Sequence, residues 1–230
     1  RFTPIRRLRG LTNGQYTKAD RGLRHDFDAP AGATVSRLPR AEAPMGKVLT
    51  PFDRPSAEAF SGAEQALVVT VAANAVVTEP VMVRVVGEQT SAAAGVTFDH
   101  TVIEVGVNAQ VTIVLDQRGS ATVADNVEID LAEGANVRLV SIADWDRDTV
   151  QLQHHNARLA KDASLTHIAV TLGGDVVRQY TSIDFAGPGA SVDAYGIYFA
   201  DAGQHFEHRL LVDHHIPDCR SNVVYRGALQ

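Results

Sequence analysis

Four of the nine histidines, His205, His208, His214 and His215, lie close to the only cysteine, Cys219, with Glu207, Asp213 and Asp218 between them. Neutral imidazole and thiolate suit zinc or iron, and such sites need three or four donors that converge. The spacing His205-x2-His208 followed by His214 and Cys219 matches no zinc-finger pattern. On a strand, His205 and His208 would point to opposite faces, while His208 and His214 would share one if no turn intervened. Two readings stand side by side: a transient metal site, or polar ladders and surface histidines. His154, His155 and His167 lie more than a coil earlier in the chain and join the later group only if successive segments align. A lone cysteine is commonly an inert thiol, and Arg220 would activate Cys219 only if the two side chains converge.

Other motifs are weaker. Asp144-Trp145-Asp146-Arg147-Asp148 opens like a calcium loop, but the pattern then demands Gly and Glu where Thr149 and His155 stand. An acidic corner loop with Trp145 packed on the body is the better reading. The sequence contains no Gly-x4-Gly-Lys-Ser/Thr phosphate loop and no Gly-x-Ser-x-Gly elbow, so ATP hydrolysis is not expected of this chain. Gly173-Gly174 reads as a turn.

The elements that must position these groups are mostly strands. Residues 1–60 show no sustained period and are punctuated by Gly and Pro, which predicts an irregular arm with little regular structure. One short helix is expected over residues 56–66. From Leu67 onward, Val- and Thr-rich runs such as Leu67-Val68-Val69-Thr70-Val71 and Val111-Thr112-Ile113-Val114-Leu115 predict strands, making residues 61–230 the β domain. A phrase of turn residue, Ala, polar residue and aliphatic residue recurs at Asn108-Ala109-Gln110-Val111, Gly134-Ala135-Asn136-Val137, Asp162-Ala163-Ser164-Leu165 and Gly189-Ala190-Ser191-Val192. The alanines are 26, 28 and 27 residues apart. Val105, Leu131 and Leu159 stand four places before the alanine, and Phe185 five places before it, as if Gly187 or Pro188 were inserted. A period of about 27 residues built from short strands describes a β-solenoid coil, whereas a sandwich has turn signals every ~8–12 residues and no longer period.

Charge is uneven. Residues 1–50 carry ten Lys/Arg against four Asp/Glu, +6, so the net charge of −6 leaves −12 on residues 51–230. An acidic body argues against nucleic-acid binding, and the basic arm is expected to dock on it or on a partner. No run is long and apolar enough for a membrane span, no signal peptide is seen, and a single cysteine suits a reducing cytoplasm.

Ordered landmarks carry a family resemblance: Leu172-Gly173-Gly174-Asp175-Val176-Val177-Arg178, Gly189-Ala190, Tyr195-Gly196, His214-His215-Ile216-Pro217-Asp218-Cys219-Arg220-Ser221 and Tyr225-Arg226-Gly227, with weaker ones at Trp145 and in residues 1–11. The chain resembles the SufB/SufD scaffold family of iron-sulfur cluster assembly, and His-x-Pro-x-Cys-x-Ser inclines it to the SufD branch. The resemblance implies a right-handed parallel β-helix and a non-catalytic scaffold subunit that works with a SufB-like subunit and a SufC-like ATPase. It also implies an iron-sulfur cluster held transiently in the complex, with none bound tightly by this piece, so His205, His208, His214, His215 and Cys219 become candidates for transient iron or cluster contact. The family continues well past Gln230, so the chain is read as an internal piece, with the ATPase contact in the following segment and self-association expected through the open end. The rival reading is a β-helix enzyme acting on acidic polysaccharide; the carboxylates it needs would have to face one another across a cleft.

Overall fold

The computed structural model describes residues 3–19 and 21–230. Twelve strands form the stacked body: β3 (Gln65–Val71), β4 (Val81–Glu88), β5 (Val96–Val105), β6 (Gln110–Ser120), β7 (Thr122–Leu131), β8 (Asn136–Trp145), β9 (Val150–Leu159), β10 (Ser164–Thr171), β11 (Val176–Phe185), β12 (Ser191–Ala200), β13 (His205–Asp213) and β14 (Arg220–Leu229). They alternate between two sheets. Even-numbered strands pair in parallel from β4 to β14 and odd-numbered strands from β3 to β13, so each coil is one strand from each sheet. This is the expected parallel β-solenoid, with five turns between the first strand pair and the last.

The recurring phrase is the corner between the two strands of a coil. Its first residue is left-handed in every copy: Asn108 at φ 54°, Gly134 at 67°, Asp162 at 58° and Gly189 at 76°. Asn, Asp and Gly tolerate that region best, which explains the choice. Ala109, Ala135, Ala163 and Ala190 are fully buried beneath it. Two further corners obey the rule, Asn74-Ala75 and Asp218-Cys219, with φ 60° at both first residues. The backbone stitches the corners together through Gln110 N–H to Ala75 O, Asn136 N–H to Ala109 O, Ser164 N–H to Ala135 O, Ser191 N–H to Ala163 O and Arg220 N–H to Ala190 O, at 2.8 to 3.1 Å. Cys219 thus stands where every earlier coil has alanine.

From the corner at Asn108 to that at Asp218, glycine and side-chain-bearing residues alternate. A Cβ on Gly189 would run into Asp162 Oδ1, and one on Gly134 into Asn108 Oδ1. Replacing Gly189 by Ala combines this clash with an unfavourable φ, and a loss of about 1–3 kcal/mol is expected. A denaturant midpoint unchanged in the Gly189→Ala protein would contradict this account of the corner.

Between the sheets, aliphatic residues stack in register. Val105, Leu131, Leu159 and Phe185 form one ladder, each at most 3% exposed. Phe185 pairs with Leu159, so the extra residue before Ala190 falls in the turn and leaves the ladder undisturbed. Each such side chain contributes about 1.5–3 kcal/mol by burial. β10 shows strict alternation of buried and half-buried residues, whereas β7 and β9 are buried on both faces.

The cover over β7 and β9 is the N-terminal arm, and here the expectation of little regular structure is corrected. β1 (Leu23–Asp28) pairs antiparallel with β4, and β2 (Ala33–Pro39) pairs antiparallel with β3. The first coil would otherwise expose two rows of unpaired N–H and C=O groups; these strands satisfy them. Their Gly and Pro flanks mark turns between short strands rather than absence of structure. The helix α1 (Arg54–Gly62) starts two residues before the expected position and ends four before it, because Asp53 caps it and Ser56 completes a capping box. α1 lies on β5, β7 and β9.

The arm is anchored to the outer face of that sheet by polar contacts. Glu128, fully buried, accepts hydrogen bonds from the backbone N–H groups of Gly46, Val48 and Leu49, and its Oε1 lies 2.8 Å from His100 Nε2. Thr50 N–H donates to Asn156 Oδ1, and Asn126 Nδ2 donates to Ser56 O. Among the described residues no helix is long and apolar enough to cross a membrane.

Candidate functional site

The structure separates the histidine and cysteine candidates. His205 and His208 point to opposite faces of β13, as the strand period requires. His205, on the outer face, lies 3.7 Å from Glu207 Oε2, and Glu207 in turn accepts from Thr3 Oγ1 and Arg209. His208 turns inward, where its Nε2 is 2.8 Å from Thr171 Oγ1. A turn intervenes after Asp213, so His214 leaves the strand; it is exposed, with Nε2 2.9 Å from Ser221 Oγ. His215 is exposed beside Asp213. Cys219 packs its sulfur against the core edge, 3.4 Å from Gly187 O. Among the described residues no three His, Cys, Asp or Glu side chains are placed to hold one metal ion. These five residues do not form one donor set, and no cluster-binding step is derived from them.

A different polar group does converge. The coil register places Asp99, Asp125, Gln153, Gln179 and His208 on one line through the interior, one rung each on β5, β7, β9, β11 and β13. Sequence reading missed it because the rungs are 26, 28, 26 and 29 residues apart. Those steps follow from the individual turn lengths, which only the register reveals. Beside this line, His155 Nδ1 meets His167 Nε2 at 2.9 Å, and Gln179 Nε2 lies 3.3 Å from His155 Nδ1. The coils therefore bring His155 and His167 toward His208, whereas His154 faces the outer side of β9, against Phe52 and Ser182. Asp125 accepts from Gln151 and Gln153, and Gln151 Oε1 accepts from Trp145 Nε1 at 2.8 Å. Trp145 is 3% exposed, the packed corner aromatic that was expected.

Burial sets the charge of this interior. It pushes His167 and His208 down to about 4, and drives His155 well below the usual imidazole range with help from His167, His154 and His208. Burial also raises Asp125 to about 7, reinforced by Asp99 on the next rung. Burial acts on Asp99 in the same sense, but His25, 2.9 Å away, overcomes it and holds that carboxyl below its ordinary value. Near neutral pH the histidines of this interior are uncharged while Asp99 is ionised, and His155 Nε2, His167 Nδ1 and His208 Nδ1 have no hydrogen-bond partner among the described residues. Such a set can exchange protons and hold neutral polar groups.

Comparison with known proteins decides the family. The SufBD core domain of the SUF system for FeS cluster assembly matches residues 87–230. This chain belongs to the SufBD family. Iron-sulfur cluster assembly SufBD family proteins of Mycobacterium leprae and Mycobacterium bovis are 44% identical to it, and one of Mycobacterium tuberculosis is 43% identical, in each case over all 230 residues. The chain spans 57 to 58% of the length of these relatives.

Several landmarks of the SufBD resemblance now have physical reasons. Gly196 pairs with Tyr225, and Tyr198 with Gly227, on β12 and β14; each ring lies over the glycine opposite, where a Cβ would strike it. The same two rings flank His208, at 5.5 and 5.6 Å between centroids, and close the interior around it. Gly173 passes against the Trp145 backbone one coil earlier, where any side chain would collide. Asp175 accepts from Arg7, and Arg178 pairs with Asp53, so these landmarks tie the arm to the body. Arg1 and Phe2, part of the weaker opening landmark, lie outside the described residues.

Asp144 lies near the end of β8, and Asp146 and Asp148 sit at the coil turn that follows it. Ser120 Oγ donates to Asp148 Oδ1 at 2.7 Å and approaches Asp146 Oδ2 at 3.3 Å, so two of these carboxylates are engaged in contacts between coils.

Proposed function

We propose that this chain is the β-solenoid core of a SufD-type scaffold subunit in the SUF pathway. It works in the cytoplasm with a SufB-like subunit and a SufC-like ATPase and performs no catalysis of its own. The observation that carries this reading is the SufBD core match over residues 87–230, which coincides with the stacked coils from the end of β4 through β14. The SufD assignment rests on the phrase His215-Ile216-Pro217-Asp218-Cys219-Arg220-Ser221. The iron-sulfur cluster is cargo, touched transiently and passed on, and the dispersal of the histidines and Cys219 is compatible with such a role.

β13 and β14 are terminal strands of their sheets, each hydrogen-bonded on one side only. Unpaired edges invite further strands, so in isolation this piece self-associates through that end. The ATPase contact is assigned to a part of the longer protein outside this β-solenoid core.

The test is co-purification of the full-length protein, and of a form ending at Gln230, with SufB-like and SufC-like proteins from the same cell. Capture of both partners by the full-length form, with loss of the ATPase on truncation, is the expected result. Failure of the full-length form to capture either partner, or turnover of pectin-like polymers by it, would overturn the scaffold assignment.

A further inference from the structure

Five of the 21 Lys and Arg side chains line a single hollow of about 690 Å³ between the arm and the outer face of β11 and β13. They are Arg6 and Arg7 from the turn Ile5–Arg7, Arg54 from the first turn of α1, Arg178 from β11 and Arg209 from β13. No local run of sequence puts them together; the docking of the arm does. In a chain of net charge −6 this concentration of cations is out of proportion to the surroundings.

Four of the five have carboxylate partners, and two of these pairs join the arm to the body. Arg7 pairs with Asp175, Arg54 with Glu58, Arg178 with Asp53 and Arg209 with Glu207. Arg6 has neither an ion pair nor a hydrogen bond among the described residues, so the hollow keeps an excess positive charge. The pairings also leave most donors unused. Arg7 makes all three of its bonds through Nη2, and Arg54 makes its bond through Nε alone. Arg178, 91% buried as a side chain, bonds through Nη2 alone, and its Nε is a buried donor without a partner. A guanidinium offers five N–H donors in a planar fork matched to phosphate and carboxylate oxygens.

The same hollow has an apolar side. Ile5, 67% exposed, and Phe52, 40% exposed, both line it. The Phe52 ring is tilted onto Tyr180 at 3.8 Å between centroids, with the Arg178 guanidinium 5.9 Å from its centre. A volume in the ordinary range for small-molecule sites, exposed apolar groups and a surplus of guanidinium donors make one combination. We propose that this hollow binds a small organic phosphate, its apolar or aromatic body against Phe52 and Ile5 and its phosphate oxygens toward Arg6, Arg54 and Arg209. A phosphate is favoured over a carboxylate because it presents three oxygens to forks arriving from three different elements.

Calorimetric titration of the full-length protein with phenyl phosphate, inorganic phosphate and phenol separates the contributions. Saturable binding is expected for phenyl phosphate, weaker binding for inorganic phosphate and none for phenol, with affinity falling as salt rises. Arg6→Gln removes no bond within the protein, so it leaves folding intact, and it is expected to weaken phenyl phosphate about tenfold, the effect of one charge-assisted hydrogen bond. Arg209→Gln should do the same, whereas Arg226→Gln, on the opposite sheet, should change nothing. Absence of saturable binding, or equal weakening by Arg6→Gln and Arg226→Gln, would overturn the proposal, the latter by showing unspecific attraction of anions.

Discussion

Acidification from pH 6.5 to pH 4 is expected to remove several kcal/mol of folding stability from this protein. His154, His167 and His208 are held neutral by burial, each with its pKa lowered from 6.5 to about 4. In the unfolded chain they charge near pH 6.5, so the stability tied to their neutral form is complete above that pH and is lost as pH falls toward 4. One lowered pKa of this size corresponds to roughly 3 kcal/mol. His155 adds to the loss in the same direction. Asp125 opposes it: with its folded pKa raised from 3.8 to about 7, its contribution is full at low pH and is lost as pH rises through 7, by roughly 4 kcal/mol. Three or four histidines outweigh one carboxyl against a total stability of ~5–15 kcal/mol, which places the optimum near pH 6 to 7. Urea unfolding at pH steps from 4 to 9 measures this profile. His167→Gln should flatten the acid limb and Asp125→Asn should steepen it, because the Asp125 contribution declines between pH 3.8 and 7 and is constant above. A stability that does not change between pH 4 and 7 would show that these groups are solvated in the fold.

Replacing Glu128 by Ala is expected to destabilise the protein by about 3–5 kcal/mol, the usual effect of removing one partner from a buried charged network. Glu128 is fully buried, and although burial works against its ionisation, His100 and the N–H groups of Gly46, Val48 and Leu49 hold its pKa below the ordinary value. Its loss orphans three backbone donors as well as His100. Because those donors belong to the arm, the damage should be local before it is global. Trypsin should cut at Lys47 in the Glu128→Ala protein well before the coils unfold, while Glu128→Gln, which keeps one carbonyl acceptor, should fall between. Equal protease resistance of Glu128→Ala and the parent protein would mean that the arm is held by its other contacts, such as Lys47 to Glu104 and Thr50 to Asn156.

The residues at fault in the sequence reading share one property. Leu23–Asp28 and Ala33–Pro39 are too short and too closely flanked by Gly and Pro to stand out, and they become strands because β4 and β3 offer unpaired edges. Local propensity carries no record of such an edge. His205, His208, His214, His215 and Cys219 were grouped by proximity along the chain, but strand alternation and the turn after Asp213 disperse them. His155, His167 and His208 span more than fifty residues and meet in the interior.

What the sequence by itself determined is the repeat: a left-handed Asn, Asp or Gly followed by alanine, a coil of about 27 residues, and aliphatic ladders that survive an inserted residue before Ala190. These are short-range demands of backbone conformation and side-chain size, satisfied within each coil. What only the tertiary structure decided is the buried polar file from Asp99 to His208, the anchoring of the arm on Glu128, and the gathering of five arginines in one hollow. Each of these depends on register between coils or on docking between distant segments. Register is the sum of turn lengths that vary by two or three residues, and a single-residue slip reverses the face on which every following side chain lies.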